Sequence, residues 1–371
     1  MSKKILLATR PLVPPWDEAS KNFAYFLGKE VKNHSITLLT TKTPFALLPE
    51  SVHTEPIFES GRFDSSAKRS LFLYLRRVRK EFDITHYLFT PTVQNTRIIR
   101  WFAKPYGKTM QTIATLRDDI YSNRQLKKIL FADHLVVYTD HTKEKLIQLG
   151  FHNVTRIYPG IDLHRYSSQP KNEAILTELG LSLQDFVVIY PGEYARLGAT
   201  DMIADAFFDF FRKNKETNIR FVFACRVKNE ADAKKKKELH QKFANAHLLD
   251  YIAFSDTIPD MPGLYNASDV VVFPVENLKG KFDVPLVIIE AYACGKPVIL
   301  SDLKQFSEFA NQDICVTIPK DSGQQLIESL AYLKENEAER TRLGTNARQF
   351  AMDHFDLKNT AKQYEEIYAS L

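Results

Sequence analysis

No apolar run in the chain approaches the ~20 residues that a bilayer-spanning helix needs, which argues against a helical membrane protein. A secretory leader is not expected either, because Lys3-Lys4 precede only Ile5-Leu6-Leu7-Ala8 before Thr9-Arg10. Cysteine is scarce: Cys225, Cys294 and Cys315 are an odd number without metal-ligand spacing. They exclude a disulfide scaffold and a thiolate metal centre, and read as reduced core residues of a cytoplasmic protein. Solenoid-period repeats and low-complexity tails are missing. So is any nucleic-acid recognition module, and no nucleic acid is expected as partner.

What remains is an ordinary globular composition, 44% hydrophobic and 26% charged, in a chain of 371 residues long enough for two cores. The net charge of +5 hides an asymmetry: residues 1–170 carry 26 Lys+Arg against 15 Asp+Glu, hence +11, and the remainder 24 against 30, hence −6. A basic first half suits an anionic partner.

Hydrophobic patterning predicts strands over Lys4–Thr9, Ile36–Thr40, Asp83–Pro91, Lys108–Leu116, Ala132–Tyr138 and Val154–Tyr158. Helices fall over Ser20–Val31 and Ser65–Phe82, and the stretch holding Pro44, Pro49 and Pro56 reads as loop. Pro159 to Asn172 reads as a linker, with a boundary near residue 165. A second strand series follows: Phe186–Tyr190, Arg220–Ala224, Ile252–Ser255, Asp269–Pro274, Pro297–Ser301 and Ile314–Ile318. Helices over Ser322–Glu335, Glu337–His354 and Leu357–Leu371 close the chain. The alternation predicts two doubly wound α/β domains with parallel sheets. Lys234-Lys235-Lys236-Lys237 sits in a polar helix and reads as a solvated face.

The stretch Asp269–Asp302 is one βαβ unit: strand, polar loop Glu276–Asp283, an apolar helix carrying Glu290, a Gly295-Lys296-Pro297 turn and a strand. Ligands of open α/β sheets sit at strand carboxyl ends. Glu290 reads either as a carboxylate accepting hydrogen bonds from vicinal hydroxyls or as a polar position on a buried helix. Burying a lone acid is costly, which favours the first.

Tyr190-Pro191-Gly192, Leu264-Tyr265-Asn266-Ala267-Ser268-Asp269, Phe273-Pro274, Glu290-Ala291-Tyr292-Ala293-Cys294-Gly295-Lys296-Pro297-Val298-Ile299 and Glu308 stand in one order. In that order they resemble the nucleotide-sugar domain of retaining, family 4-like GT-B glycosyltransferases. Phe355-Asp356-Leu357 through Ile367-Tyr368 is similar to the closing helix of that family, and Ala132–Val137 with Tyr158–Asp162 resembles its acceptor domain more loosely. The resemblance implies two Rossmann-like domains facing a cleft: residues 1–165 with 355–371 binding acceptor, and residues 166–354 binding donor. Glu290 would hold the donor ribose. Gly192 and the Phe282, Val284, Pro285 loop would present backbone N–H groups to the diphosphate, with Arg196, Arg226, Lys228 and Lys281 as fixed cations.

Four positions depart from the family pattern. Phe282 stands where a second acid is expected, with Asp283 beside it as a substitute. Glu193 follows Gly192 in place of an arginine. Ala114 stands where the acceptor-domain histidine is expected, and Glu18-Ala19-Ser20 replace a glycine pair. Asp17, Glu18 and Asp283 are the catalytic candidates. Lys21, His86, Arg117 and Asp118 are further possibilities near an acceptor, although a lone strand histidine is more often structural. The implied activity is a retaining, metal-independent glycosyl transfer from a nucleotide-diphosphate sugar to a glycan, lipid-linked or small-molecule acceptor. No resident cofactor is implied, since the sugar nucleotide is a co-substrate. The alternative is a degenerate module binding nucleotide or glycan as a subunit. The basic helix 65–82, with Leu71, Phe72, Leu75 and Val78 as its apolar side, suits peripheral attachment to an anionic inner membrane face.

Overall fold

The computed structural model describes residues 2–14, 18–43, 48–89, 92–256, 258 and 260–371. The chain forms two compact units. Unit 1 comprises Met1–Ile161, Gly280–Val284 and Phe355–Leu371, and unit 2 comprises Asp162–Lys279 and Pro285–His354.

Unit 1 contains β1 (Lys4–Leu12), α1 (Ala19–Glu30), β2 (Ser35–Thr41), β3 (Val52–Phe58), α2 (Ser65–Arg77), β4 (Ile84–Tyr87), α3 (Val93–Phe102), β5 (Lys108–Ile113), α4 (Asn123–Ile129), β6 (His134–Val137), α5 (Asp140–Gln148) and β7 (Val154–Arg156). Its seven strands lie parallel in the order β3-β2-β1-β4-β5-β6-β7, so the winding reverses between β1 and β4. The prolines of 44–56 suggested loop, yet Val52–Phe58 is a strand. It is the edge strand, and its ladder shifts register between Leu39 and Thr41, opposite the stretch that holds Pro56. A proline without an N–H is tolerated there. Pro11 is likewise absorbed in β1 where its pairing with β2 is irregular.

Helix α2 stops at Arg77, five residues short of the span read from the sequence, with Val78 as its C-cap. Its Leu71, Phe72 and Leu75 are buried against Leu6, Phe58 and Tyr87. On α13 (Leu357–Ser370) the buried residues Leu357, Ala361, Tyr364 and Tyr368 recur at helical spacing. There Tyr368 Oη and Thr112 Oγ1 each lie 2.7 Å from a ring nitrogen of His86, and Thr112 is 3.0 Å from Tyr364 Oη. His86 is fully buried, which pushes its pKa down from 6.5 to about 3. It is a structural pin for the C-terminal helix. The unfolded chain binds a proton below pH 6.5 that the folded chain refuses. The contribution is therefore complete above pH 6.5 and is lost as the pH falls toward 3. Urea titrations should show roughly 2 kcal/mol lost from this group between pH 6.5 and 5. That part of the slope should be missing in His86→Gln; identical slopes would refute the assignment.

Unit 2 contains α6 (Glu173–Glu178), β8 (Phe186–Tyr190), α7 (Ala199–Lys213), β9 (Ile219–Ala224), α8 (Glu230–Asn245), β10 (Ile252–Ser255), α9 (Met261–Ala267), β11 (Val270–Phe273), α10 (Leu286–Ala293), β12 (Val298–Ser301), β13 (Cys315–Ile318), α11 (Gly323–Glu335) and α12 (Glu337–His354). Its strands are parallel in the order β10-β9-β8-β11-β12-β13, and the winding reverses between β8 and β11. Burial of Phe207, Phe211, Phe221 and Phe223 fixes α7 on this sheet. Lys235 and Lys236 pair with Asp201 and Asp256, so the lysine run is a paired polar face. All three cysteines are buried and none is in a disulfide, and burial pushes the Cys294 thiol up to about 12. Among the described residues, no helix is long and apolar enough to cross a membrane.

Candidate active site

The reversal between β8 and β11 leaves a crevice-forming pair of loops at the carboxyl edge of the unit 2 sheet. In the first, the chain turns so tightly over Tyr190 that a Cβ on Gly192 would lie 1.9 Å from the ring Cζ. Only glycine allows this approach. The turn is fixed from beneath, since the Thr200 hydroxyl donates to the Glu193 carbonyl at 3.1 Å. Gly198, at φ +81°, then caps α7, and a Cβ there would lie 2.5 Å from the Glu276 carboxyl group. Glu276 in turn donates its backbone N–H to Leu197 O at 3.0 Å, tying the second loop to the first.

The turn carries Glu193 inward, with its side chain only 5% exposed. Arg196 Nε donates to Oε2 at 2.7 Å and Nη2 to Oε1 at 2.6 Å, a two-pronged pairing. Lys228 Nζ, from the segment after β9, donates to the same Oε1 at 2.8 Å. Two cations thus converge on one carboxylate. The acid is buried, while the Arg196 and Lys228 side chains are 42% and 40% exposed. The positive charge therefore faces solvent at the carboxyl end of the sheet. Arg226 is half-buried on the same segment. The sequence reading missed Glu193 as the hub; its spacing of three from Arg196 was the available signal.

Glu290 is the fifth residue of α10, whose N-cap is Pro285. Its Oε2 accepts a hydrogen bond from the Tyr265 hydroxyl at 3.0 Å, and Tyr265 is fully buried on α9. Tyr166 lies against the same carboxylate: burial, and then the charge of Glu290, hold its hydroxyl well above the usual range. The two tyrosine rings are 6.3 Å apart. They meet part of the cost of placing an acid there and fix its rotamer. Nothing in the sequence singled out either tyrosine for this role.

Lys281, Phe282, Asp283 and Val284 are part of unit 1. Asp283 donates its N–H to Ala114 O at 2.8 Å, and its carboxylate accepts from the Thr142 hydroxyl at 2.8 Å and the Leu116 N–H at 3.3 Å. Thr115 Oγ1 donates to Lys281 O at 2.6 Å, and the Phe282 ring meets Tyr138 edge-on at 5.4 Å. Two of the departures from the family pattern therefore meet: the backbone of Ala114 holds the residue beside Phe282. Both carboxylate oxygens of Asp283 serve in anchoring this segment.

Glu18 is the N-cap of α1 and lies 3.6 Å from Arg10, while Asp17 falls outside the described residues. Lys21 Nζ donates to Val13 O at 3.4 Å, Arg117 pairs with Asp119, and Asp118 pairs with Lys145. Among the described residues, no three His, Cys, Asp or Glu side chains converge as metal ligands.

Residues 172–350 match the family described as glycosyl transferases group 1. The D-inositol 3-phosphate glycosyltransferase of Streptomyces bingchenggensis is 26% identical over 178 residues, which cover 46% of this chain and 38% of that protein. The enzyme of the same name from Kineococcus radiotolerans is 22% identical over 79% of this chain and 72% of its own length. Among solved structures, Anabaena Alr3699/HepE in complex with UDP-glucose superposes at TM-score 0.75 with 18% identity, covering all of both chains. Sucrose-phosphate synthase from Thermosynechococcus elongatus superposes at 0.79 with 15% identity, covering 99% and 98%. At these identities the structural likeness establishes the GT-B fold.

Proposed function

We propose, from the match of residues 172–350 to the glycosyl transferases group 1 and from the GT-B fold of the chain, that the protein is a retaining, metal-independent glycosyltransferase. It moves a sugar from a nucleotide-diphosphate donor to a glycan, lipid-linked or small-molecule acceptor. One observation carries the reading: Arg196 and Lys228, held on the buried Glu193, present fixed positive charge at the carboxyl edge of the unit 2 sheet. Cleavage of a glycosyl–phosphate bond builds negative charge on the departing diphosphate, and pre-placed cations stabilise that charge more than they do the ground state. The first-turn N–H groups of α7 add to the same field. Glu290, oriented by Tyr265, accepts hydrogen bonds from the donor ribose hydroxyls.

Arg226, Gly192 and Pro285 complete the donor site in this reading. Asp17 and Glu18, which follow β1 in the sequence, orient the acceptor hydroxyl in this reading. Asp283 acts on the reaction through the loop it anchors at Thr142 and Leu116. The UDP-glucose complex of HepE supports a sugar nucleotide as the donor class.

Calorimetry with UDP, GDP, ADP and CMP sugars tests this. One base class should bind, and adding acceptor should release the nucleoside diphosphate and give a product with the donor's anomeric configuration. Failure of every sugar nucleotide to bind would remove the proposal. Tight binding without turnover on any acceptor would favour a nucleotide-binding subunit, to which Ala114 in place of the histidine and Phe282 in place of the acid also incline.

A further inference from the structure

We propose that the outer face of α2 and α3 in unit 1 docks the protein on anionic lipid bilayers. The apolar side of α2 named from the sequence is unavailable, because Leu71, Phe72, Leu75 and Val78 are buried in the core. The structure instead turns a different set outward. On α2, Arg69, Leu73 and Arg76 recur at spacings of four and three and share the exposed stripe. On α3, Ile98 and Trp101 share a side at a spacing of three, flanked by Arg97 and Arg100. Trp101 is 89% exposed, Leu73 50% and Ile98 38%. Leu73 and Ile98 line one shallow depression with Phe72 and Phe102, and the Arg76 guanidinium lies 4.3 Å from the Phe102 ring centroid. The fold places these apolar groups in water although the core has no use for them.

Charge decides what covers them. Residues 65–108 carry 10 Lys+Arg against 2 Asp+Glu, a surplus of 8. At the margin, Tyr106 is 68% exposed between Arg79 and Lys80, at 5.4 and 5.1 Å. A soluble polyanion would satisfy the arginines and leave Leu73, Ile98 and Trp101 wet. An anionic bilayer offers both layers in the needed order, phosphate outside and hydrocarbon beneath. Tryptophan and tyrosine settle between the two, with arginine and lysine at headgroup level. The inference is independent of the catalytic reading.

The test uses the full chain with vesicles of phosphatidylcholine alone or mixed with phosphatidylglycerol. The protein should float with the anionic vesicles at low salt and be released at high salt. The chain has 2 tryptophans, so Trp16→Phe leaves Trp101 as the sole reporter. Its emission should shift to the blue and be quenched by brominated lipid on binding. Arg69→Gln, Arg97→Gln and Arg100→Gln together, all at exposed positions, should weaken partitioning by roughly a hundredfold, at about fivefold per charge. Absence of flotation, or undiminished flotation of the triple variant, would overturn the proposal. So would a lipid-free, concentration-dependent shift of Trp101 emission, which would assign the face to a second copy of the chain.

Discussion

Glu290→Ala is expected to lose about two orders of magnitude in affinity for the sugar nucleotide. A charged acceptor contributes about 1.5 kcal/mol or more per hydrogen bond, and two vicinal hydroxyls make roughly 3 kcal/mol, or a hundredfold. The substitution also removes the acceptor of the buried Tyr265 hydroxyl, so some loss of stability accompanies it. Two controls separate the effects. Glu290→Gln keeps an acceptor of the same shape without the charge and should fall between the two, at about a tenfold loss. Inorganic pyrophosphate lacks a ribose and should inhibit wild type and Glu290→Ala equally. If the variant binds sugar nucleotide as well as wild type, Glu290 is a structural acid and the donor site lies elsewhere.

The second large effect concerns the cations. Arg196→Ala with Lys228→Ala should lower kcat by about 10²–10³-fold, as loss of pre-placed charge at a leaving group does. It should also abolish the pyrophosphate inhibition that Glu290→Ala preserves. The two single variants should not add up to the double, because both side chains share the Glu193 carboxylate. The double variant deprives a buried acid of both cations and is expected to be destabilised. Adding Glu193→Gln should restore the melting temperature without restoring turnover. Turnover within a few-fold of wild type in the double variant would remove the cluster from the mechanism.

Glu193 shows where sequence reading reaches its limit. On the chain it is an acid where the pattern calls for a cation, and it reads as damage to the phosphate loop. In the structure it is the buried member of a three-residue cluster, and its two partners carry the positive charge outward. The i,i+3 partner was within reach of a sequence argument. Lys228 was not, since it arrives from the next strand, 35 residues on. The same applies to Asp283. Its position next to Phe282 suggests a displaced catalytic acid, but its hydrogen bonds to Thr142 and Leu116, more than 140 residues earlier, were not legible in the sequence. The edge strand β3 was hidden by prolines, which weigh against a central strand but not against an edge one.

By itself, the sequence determined the two parallel α/β sheets, because buried parallel strands need continuous apolar runs and their crossovers need amphipathic helices. Those periodicities are local, and so is the ordered motif series that ends in Glu290. Tertiary structure alone decided which groups stand together: the cations on Glu193, the tyrosines on Glu290 and the hydroxyl pair on His86. It also decided which side of α2 is spent on the core and which residues, Trp101 first among them, are left exposed. Such pairings depend on strand order and on which loops meet at a sheet's carboxyl edge, and no local periodicity encodes either.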